Sequence, residues 1–345
     1  MKRRKVSRYE RYAFEDSPWV QRLTQKELAT LLGYTKDQLE ALIRDKDKWI
    51  GRRAEVIAGK KRNLAVPYGR LRGIHERLKF HLNKIRQPDY LFSPRKGRAQ
   101  RDNAAHHVGQ MQFLTLDIRQ FYPSTTGEHI FRWAHHEAGL LPDVAGMLVH
   151  LVAVDGKMPF GSPISPVLTA LVHRPMFDAI AGLCAERDLH MSLWVDDLTI
   201  SGREVGGDLI DQIRAIMRKA GFQTHKIRFK MGNRPVIVTG VPIDGSRVTA
   251  PRSVNERIRM GYANLRVAAN DNERRQAIDA LLSALGTYRY HMGRGTAEGR
   301  KAANRMDALR RRRSALSNSY RSPAEVDADP ASETAAYDEE APPWE

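Results

Sequence analysis

Two adjacent acidic residues and one far upstream define the chemistry open to this chain. In Ser192-Leu193-Trp194-Val195-Asp196-Asp197-Leu198-Thr199-Ile200-Ser201, two short runs rich in Leu, Val, Thr and Ile are separated by two residues. That is the sequence form of a tight hairpin with both carboxylates at its tip. Adjacent anions repel each other, and a divalent cation removes that cost. Asp117, in Leu114-Thr115-Leu116-Asp117-Ile118, completes a set of hard oxygen ligands suited to magnesium if its strand lies beside the hairpin. Three carboxylates holding two metal ions are the equipment of in-line phosphoryl transfer, where one ion activates the attacking hydroxyl and both stabilise charge at phosphorus. An Asp pair alone is an ordinary solvated turn, so the reading depends on its surroundings.

Positioning those carboxylates requires a sheet and helices to brace it. Residues 111–118 read as a strand with Leu114 and Leu116 inward. Phe121-Tyr122-Pro123-Ser124 then turns the chain into a helix. The Tyr122 ring either packs in the core or lies under the sugar of a bound nucleotide, where it clashes with a 2′-hydroxyl. Residues 126–154 read as helical. Met158-Pro159-Phe160-Gly161-Ser162-Pro163-Ile164-Ser165-Pro166 forces a rigid bend ahead of an apolar helix expected over 167–183. After the hairpin come an amphipathic helix over 208–220, a basic strand over 222–230, and one more strand over 235–243 containing Val238-Thr239-Gly240.

Upstream, 23–43 reads as two short helices. Thr24 with Glu27 is a capping box, Gly33 ends the first helix, and Thr35 with Gln38 starts the second. The same passage reads either as a DNA-binding helix-turn-helix or as a pair packed on the body; Asp37, Glu40 and Asp45 are ill suited to a major-groove reader. Lys61 and Arg62 follow in a basic turn leading into a strand. The next helix, over 68–85, carries Arg70, Arg72, Arg77, Lys79 and Lys84, and the loop over 88–102 adds Arg95, Lys96, Arg98 and Arg101. These clusters suit either a triphosphate cradle or a solvated surface. Asn103 and His107 lie four apart, on one face if helical. They are too few for a zinc ion and suit a structural hydrogen-bond pair.

With 345 residues, 41% of them apolar, the chain should form two or three subdomains. Its formal charge is +17, and the eight acids between Ser322 and Glu345, unaccompanied by Lys or Arg, leave about +25 on the remainder. That is the footprint of a nucleic-acid binder. From residue 251 onward the helices are dense in Arg, including Arg257 and the run Arg310 to Arg313, and suit gripping a duplex by its phosphates. Lys2-Arg3-Arg4-Lys5 forms a basic arm, and the acidic tail should be disordered. A membrane-spanning run and a signal-peptide core are both missing from the pattern, so the expected location is cytoplasmic. Cys184 stands alone, which rules out a disulfide framework and a Cys-based zinc site.

Taken in order, these parts resemble a reverse transcriptase of the bacterial retron type over residues 23–315. The matching pieces are Leu116-Asp117-Ile118 with Phe121-Tyr122, the 158–166 loop, Trp194-Val195-Asp196-Asp197, Asn103-Ala104-x-x-His107 and Val238-Thr239-Gly240. The resemblance implies an α+β right-hand polymerase fold. Its parts would be a basic arm and helical pair (1–50), fingers (51–110), a palm of antiparallel sheet with packed helices (111–250), a helical basic thumb (251–315) and a disordered acidic tail (316–345). It implies an RNA-directed DNA polymerase using two Mg2+ ions and deoxynucleoside triphosphates. Its partners would be a structured non-coding RNA, which is template and source of the priming 2′-hydroxyl, and an effector protein in anti-phage defence. Catalysis and metal binding then fall on Asp117, Asp196 and Asp197, and nucleotide binding on Lys61, Arg62, Tyr122, Phe160 and Gly161. Nucleic-acid contact falls on Asn103, His107, Arg228, Thr239, Gly240 and Arg257. The chain departs from the family pattern at Trp194, Phe160, Ala170, His225 and Arg228, and none of these removes a metal ligand. Two alternatives remain: a neighbouring defence polymerase making untemplated DNA, and a helix-turn-helix regulator.

Overall fold

The computed structural model of the chain describes residues 11–19, 22–57 and 59–318, and the fold divides after Thr249 into two units. The basic arm at 2–5 and the acidic tail beyond 322 lie outside the described residues.

Thr24 and Thr35 cap as their spacing predicts. Each hydroxyl accepts the N–H three residues on, and the Glu27 and Gln38 side chains accept the Thr N–H groups in return, satisfying otherwise orphaned donors. These boxes open α1 (Gln25–Leu32) and α2 (Lys36–Arg44). Next, β1 (Ile50–Ile57) and β2 (Lys60–Pro67) pair antiparallel as a two-stranded ribbon. The charged make-up of β1, with Arg52, Arg53 and Glu55, hides that strand from a periodicity reading. α3 (Gly69–Leu82) turns Leu71, Ile74, His75, Leu78 and Leu82 inward, at the spacing of one helical face. Leu28, Ala29, Leu32 and Leu39 share that core, so α1 and α2 pack on the body.

β3 (Leu91–Ser93) and α4 (Gln100–Ala105) lead to β4 (Gln112–Ile118), which buries Leu114 and Leu116 as expected. The helical stretch after it is α5 (Phe121–Ser124), α6 (Gly127–Arg132) and α7 (Pro142–Val152). The single helix expected over 167–183 is instead two, α8 (Ser165–Val172) and α9 (Arg174–Ala185), bent by 64°. Pro175 is the cause, since it has no N–H to donate and its ring crowds the preceding turn. No single described helix is long and apolar enough to cross a membrane, and Leu168, Leu171, Phe177 and Ile180 of the bent pair are core residues.

β5 (His190–Trp194), β6 (Asp197–Gly202), α10 (Gly207–Lys219) and β7 (Thr224–Met231) follow. They complete a five-stranded sheet in the order β3-β5-β6-β4-β7, antiparallel except where β3 runs parallel to β5. Residues 235–243, expected as one strand, make a hairpin of β8 (Val236–Val238) and β9 (Val241–Asp244), with β10 (Arg247–Val248) beside it. The reversal falls at Thr239 and Gly240, with φ of 46° and 83°, the two left-handed residues that a type I′ turn demands.

The second unit is three helices, α11 (Arg252–Val267), α12 (Asp271–Met292) and α13 (Ala297–Asn318). Leu265, Ile278, Leu281, Leu285 and Met306 form its core, and Arg257, Arg259, Arg266 and Arg310 to Arg313 are exposed. The fold is α+β, with the sheets confined to the first unit.

Candidate active site

β4 and β6 pair so that Asp117 faces Asp197 and Leu116 faces Leu198. One residue on, the Ile118 N–H donates to the Asp196 carbonyl at 3.1 Å. The reversal between β5 and β6 is Val195-Asp196, one residue earlier than the expected Asp-Asp tip. Asp197 is already in the ladder, opposite Trp194 on one side and Asp117 on the other. That register keeps Leu193, Leu198 and Leu116 buried, and a slip of one residue would turn them all to the wrong face. Val195 holds φ 61°, a left-handed conformation that costs a β-branched residue of order 1–3 kcal/mol. Its N–H donates to the Ser93 carbonyl of β3 at 3.1 Å, pinning the turn.

The three carboxylates differ in surroundings. The Asp196 carboxyl is pushed up to about 6, first by loss of water, then by the negative charge of Asp117. The Asp197 carboxyl is also raised, by loss of water and by Asp117, against the pull of Arg228 and Lys226. An anionic cluster short of counter-charge is a place that a cation stabilises. Among the described residues, however, no three His, Cys, Asp or Glu side chains are gathered closely enough to ring an ion unaided. The expected three-carboxylate cage is therefore an Asp117–Asp196 pair with Asp197 in register. This partial ligand set fits Mg2+, which keeps several waters and takes one or two carboxylates together with phosphate oxygens.

Arg228 stands exposed on β7, with Thr115 opposite it and His225 opposite Asp117. The extra residue on β7 between those pairs is a bulge, and Lys226 within it has φ 50°. Bulges re-aim side chains, and this one sets a second cation near Asp197. Sequence reading did not separate Lys226 from the other basic residues of its strand, because a bulge leaves no mark on residue type.

Tyr122 is half-buried, and burial and then the Asp196 charge raise the pKa of its phenol, which puts the ring beside that carboxylate. The Phe160 ring centroid lies 5.7 Å from that of Tyr122, and the Arg62 guanidinium lies 4.7 Å from the Phe160 centroid. The Ala65 N–H donates to the Phe160 carbonyl at 2.9 Å, tying the loop to β2. Gly161 follows at φ 113°, where a Cβ would meet Val66 Cγ2 at 3.0 Å, so both conformation and space call for glycine. Arg62, Phe160, Tyr122 and Asp196 thus form one continuous row. Lys61, next to Arg62 on β2, is exposed and points to the other face of the ribbon. His75 anchors the loop from below: its Nε2–H donates to the Leu151 carbonyl at 2.9 Å, and its Nδ1 accepts from the Ser162 hydroxyl at 2.7 Å.

Other expected contacts lie elsewhere. Asn103 and His107 are wholly buried, so they are clasps inside the protein and not surface contacts to nucleic acid. His107 has Nδ1 2.6 Å from Ser201 Oγ and Nε2 2.7 Å from Ser192 Oγ, bridging β5 and β6, the two strands joined by the turn that holds Asp196. Burial pushes its pKa down to about 3, which keeps the ring neutral. Asn103 Nδ2 donates to Thr239 Oγ1 at 3.2 Å, holding the Thr239-Gly240 turn of the small sheet. Arg257 is exposed on α11 in the second unit. Lys79, Lys84, Arg95 and Lys96, considered above for a triphosphate cradle, line a separate concavity that includes none of the three Asp residues.

Residues 43–243 match the family model described as reverse transcriptase (RNA-dependent DNA polymerase). Retron Ec86 reverse transcriptase of Escherichia coli is 27% identical over 124 residues, 36% of this chain and 38% of that protein. Retron Se72 reverse transcriptase of Salmonella heidelberg is 27% identical over 178 residues, 50% of this chain and 47% of that protein. Retron Mx65 reverse transcriptase of Myxococcus xanthus is 25% identical over 211 residues, 54% and 49%. The chain spans less than half the length of each of these curated relatives. With Asp117, Asp196 and Asp197 all inside a family match that covers more than half of the chain, this protein belongs to the reverse transcriptase (RNA-dependent DNA polymerase) family and has retron reverse transcriptases among its relatives.

Proposed function

We propose that the chain is an RNA-directed DNA polymerase of the retron type, copying a structured non-coding RNA into DNA by two-metal phosphoryl transfer. The single observation that carries this reading is the pairing of Asp117 with Asp197 beside the Val195-Asp196 reversal. The five-stranded sheet with its helices would serve as palm (111–250), the β1–β2 ribbon and α3 as fingers (51–110), and α11 to α13 as thumb (251–315). The division of the fold after Thr249 supports the last boundary.

Two bound Mg2+ ions would supply activation of the attacking hydroxyl and neutralisation of charge on the phosphoryl group. Asp117 and Asp196 would hold them with Asp197 and the phosphate oxygens of the substrate. Arg62, its plane set by Phe160, presents N–H donors to the triphosphate. Tyr122, beside Asp196, would meet a ribose 2′-hydroxyl with its ring and so select deoxynucleotides. Arg228 and Lys226 offset the charge of Asp197 and offer partners to backbone phosphate. The priming RNA 2′-hydroxyl, the effector protein, the defence role and a cytoplasmic location belong to the same proposal and rest on the family resemblance.

The test is incorporation of labelled dTTP on a poly(rA) template with an oligo(dT) primer and Mg2+. Incorporation is expected, and is lost in the Asp196→Asn, Asp197→Asn double variant. Product that ignores template identity would favour untemplated synthesis, and unchanged incorporation in the double variant would refute the site.

A further inference from the structure

The end of β7 farthest from the carboxylates carries cations that the catalytic row leaves unused. Directly opposed residues of an antiparallel pair share a face, and alternate residues of one strand do the same. Arg228, opposite Thr115, and Lys230, opposite Phe113, therefore lie on the face of the sheet that bears Asp117. Past Lys230 the chain turns through Asn233 and Arg234 and enters β8 at Val236. Lys230, Met231, Asn233, Arg234, Pro235 and Val236 line a concave site of about 440 Å³. Two of these residues are cations and none is an acid. Asn233 and Arg234 are exposed, and among the described residues no ion pair engages the side chain of Lys230 or Arg234. Burial and then the charge of Arg228 hold the Lys230 amine below its usual pKa, so this cation lacks a counter-charge that an anion would supply.

The lining offers an amine, an amide and a guanidinium to oxygen and has no aromatic ring, so it suits backbone phosphate and gives a base nothing to stack on. Its position fixes which phosphate. Asp117 and Gln112 are five residues apart on β4, and Met231 is the partner of Gln112, so the site lies about 17 Å along the strand from the catalytic rung. A duplex advances about 3.4 Å of axis for each phosphate of one strand, which makes that distance about five base pairs. We propose that Lys230, Asn233 and Arg234 grip a backbone phosphate of the RNA–DNA hybrid about five base pairs behind the reacting end. The inference rests on the polymerase reading above and adds a second hold on the product outside the catalytic row. Carboxylates and grip then act as one bivalent attachment, the hybrid between them serving as the linker. The contact carries no sequence information, as an enzyme that must copy whatever follows requires.

The test uses the full chain and an RNA–DNA primer–template hybrid of about 20 base pairs, several times that span. One phosphate at a time, in either strand, is replaced by an uncharged methylphosphonate, and affinity is measured. In the unaltered protein a substitution about five base pairs from the primer 3′ end is expected to weaken binding about threefold, the scale of an exposed ion pair, while its neighbours a few steps nearer to and farther from the end do not. Lys230→Ala and Arg234→Ala are each expected to lower the salt slope of binding to the fully charged hybrid by about one. In the double variant the distal methylphosphonate should cost nothing further. The scan is read in the unaltered protein, so a variant that misfolds does not remove the answer. A response confined to steps beside the primer end, or a salt slope unchanged in both variants, overturns the proposal. A distal methylphosphonate that weakens the double variant as much as the unaltered protein also overturns it, by assigning that phosphate to other residues. A chain that shows the distal contact yet incorporates nothing would refute the polymerase reading and leave the hybrid grip standing; incorporation without the distal contact refutes the grip alone.

Discussion

Asp117 and Asp197 stand as direct cross-strand partners, two carboxylates in one rung of an antiparallel ladder. Like charges so placed destabilise a sheet by roughly 0.2–1 kcal/mol, so stability is sacrificed where charge is needed. Asp117→Asn is expected to raise the thermal midpoint of the metal-free protein by about 1–3 °C while abolishing incorporation. Scanning fluorimetry in EDTA beside an incorporation assay checks this; a lowered midpoint would contradict the repulsion.

Mg2+ should act on the same repulsion from the other side. Saturating Mg2+ is expected to stabilise the unaltered protein by about 1–3 kcal/mol through binding to the folded state alone. The Asp196→Asn, Asp197→Asn variant should gain much less. Midpoints measured across an Mg2+ series, with EDTA as the reference, would reveal an equal gain in both proteins if the ion binds elsewhere.

Burial pushes His75 down to about 4 and His107 and His173 down to about 3. An unfolded histidine titrates near 6.5, so below that pH the unfolded chain binds protons that the folded one refuses. Stability is therefore full above about pH 6.5 and falls as pH drops toward 3–4, by up to about 1.4 kcal/mol per pH unit for each ring. His107→Gln should flatten this slope by roughly one ring's share. Denaturant unfolding between about pH 7 and pH 5 measures it, and an unaltered slope would mean that His107 accepts protons in the folded state.

The contact of Arg62 with Phe160 is worth roughly 0.5–2 kcal/mol as a cation–π pair. Phe160→Ala should release the guanidinium and raise the KM for deoxynucleotide about three- to thirtyfold with kcat little changed. Phe160→Tyr should retain most of the affinity. Steady-state kinetics on a defined primer–template separates this from a fall in kcat, which would assign Phe160 to the chemical step.

Asn103 and Gly240 should behave as structural residues. Asn103→Ala deprives Thr239 of its partner and is expected to cost about 1 kcal/mol. Gly240→Ala at φ 83° is expected to cost about the same or more. RNA affinity, read by fluorescence anisotropy, should be unchanged in both; a tenfold loss would return these residues to the surface role that the resemblance suggested.

The capping boxes at Thr24 and Thr35, the strand expected over 111–118 and the hairpin carrying Asp196 were legible because each rests on residues a few positions apart, and the α+β class came with the family resemblance. Family membership was legible for the same reason, through short motifs in a set order. The sequence alone thus determined which chemistry the chain can perform and which groups belong to it. Tertiary structure decided which of those groups meet. It placed Asp197 in the ladder and Val195-Asp196 in the turn, bent α8 against α9, and sent Asn103 and His107 inward as clasps. It also brought Arg62 to Phe160 and gathered Phe80, Lys84 and Arg95 around one concavity. Register, burial and the partner of a buried polar group depend on strands and helices far away in the chain. Residue type and spacing carry no record of those distant neighbours.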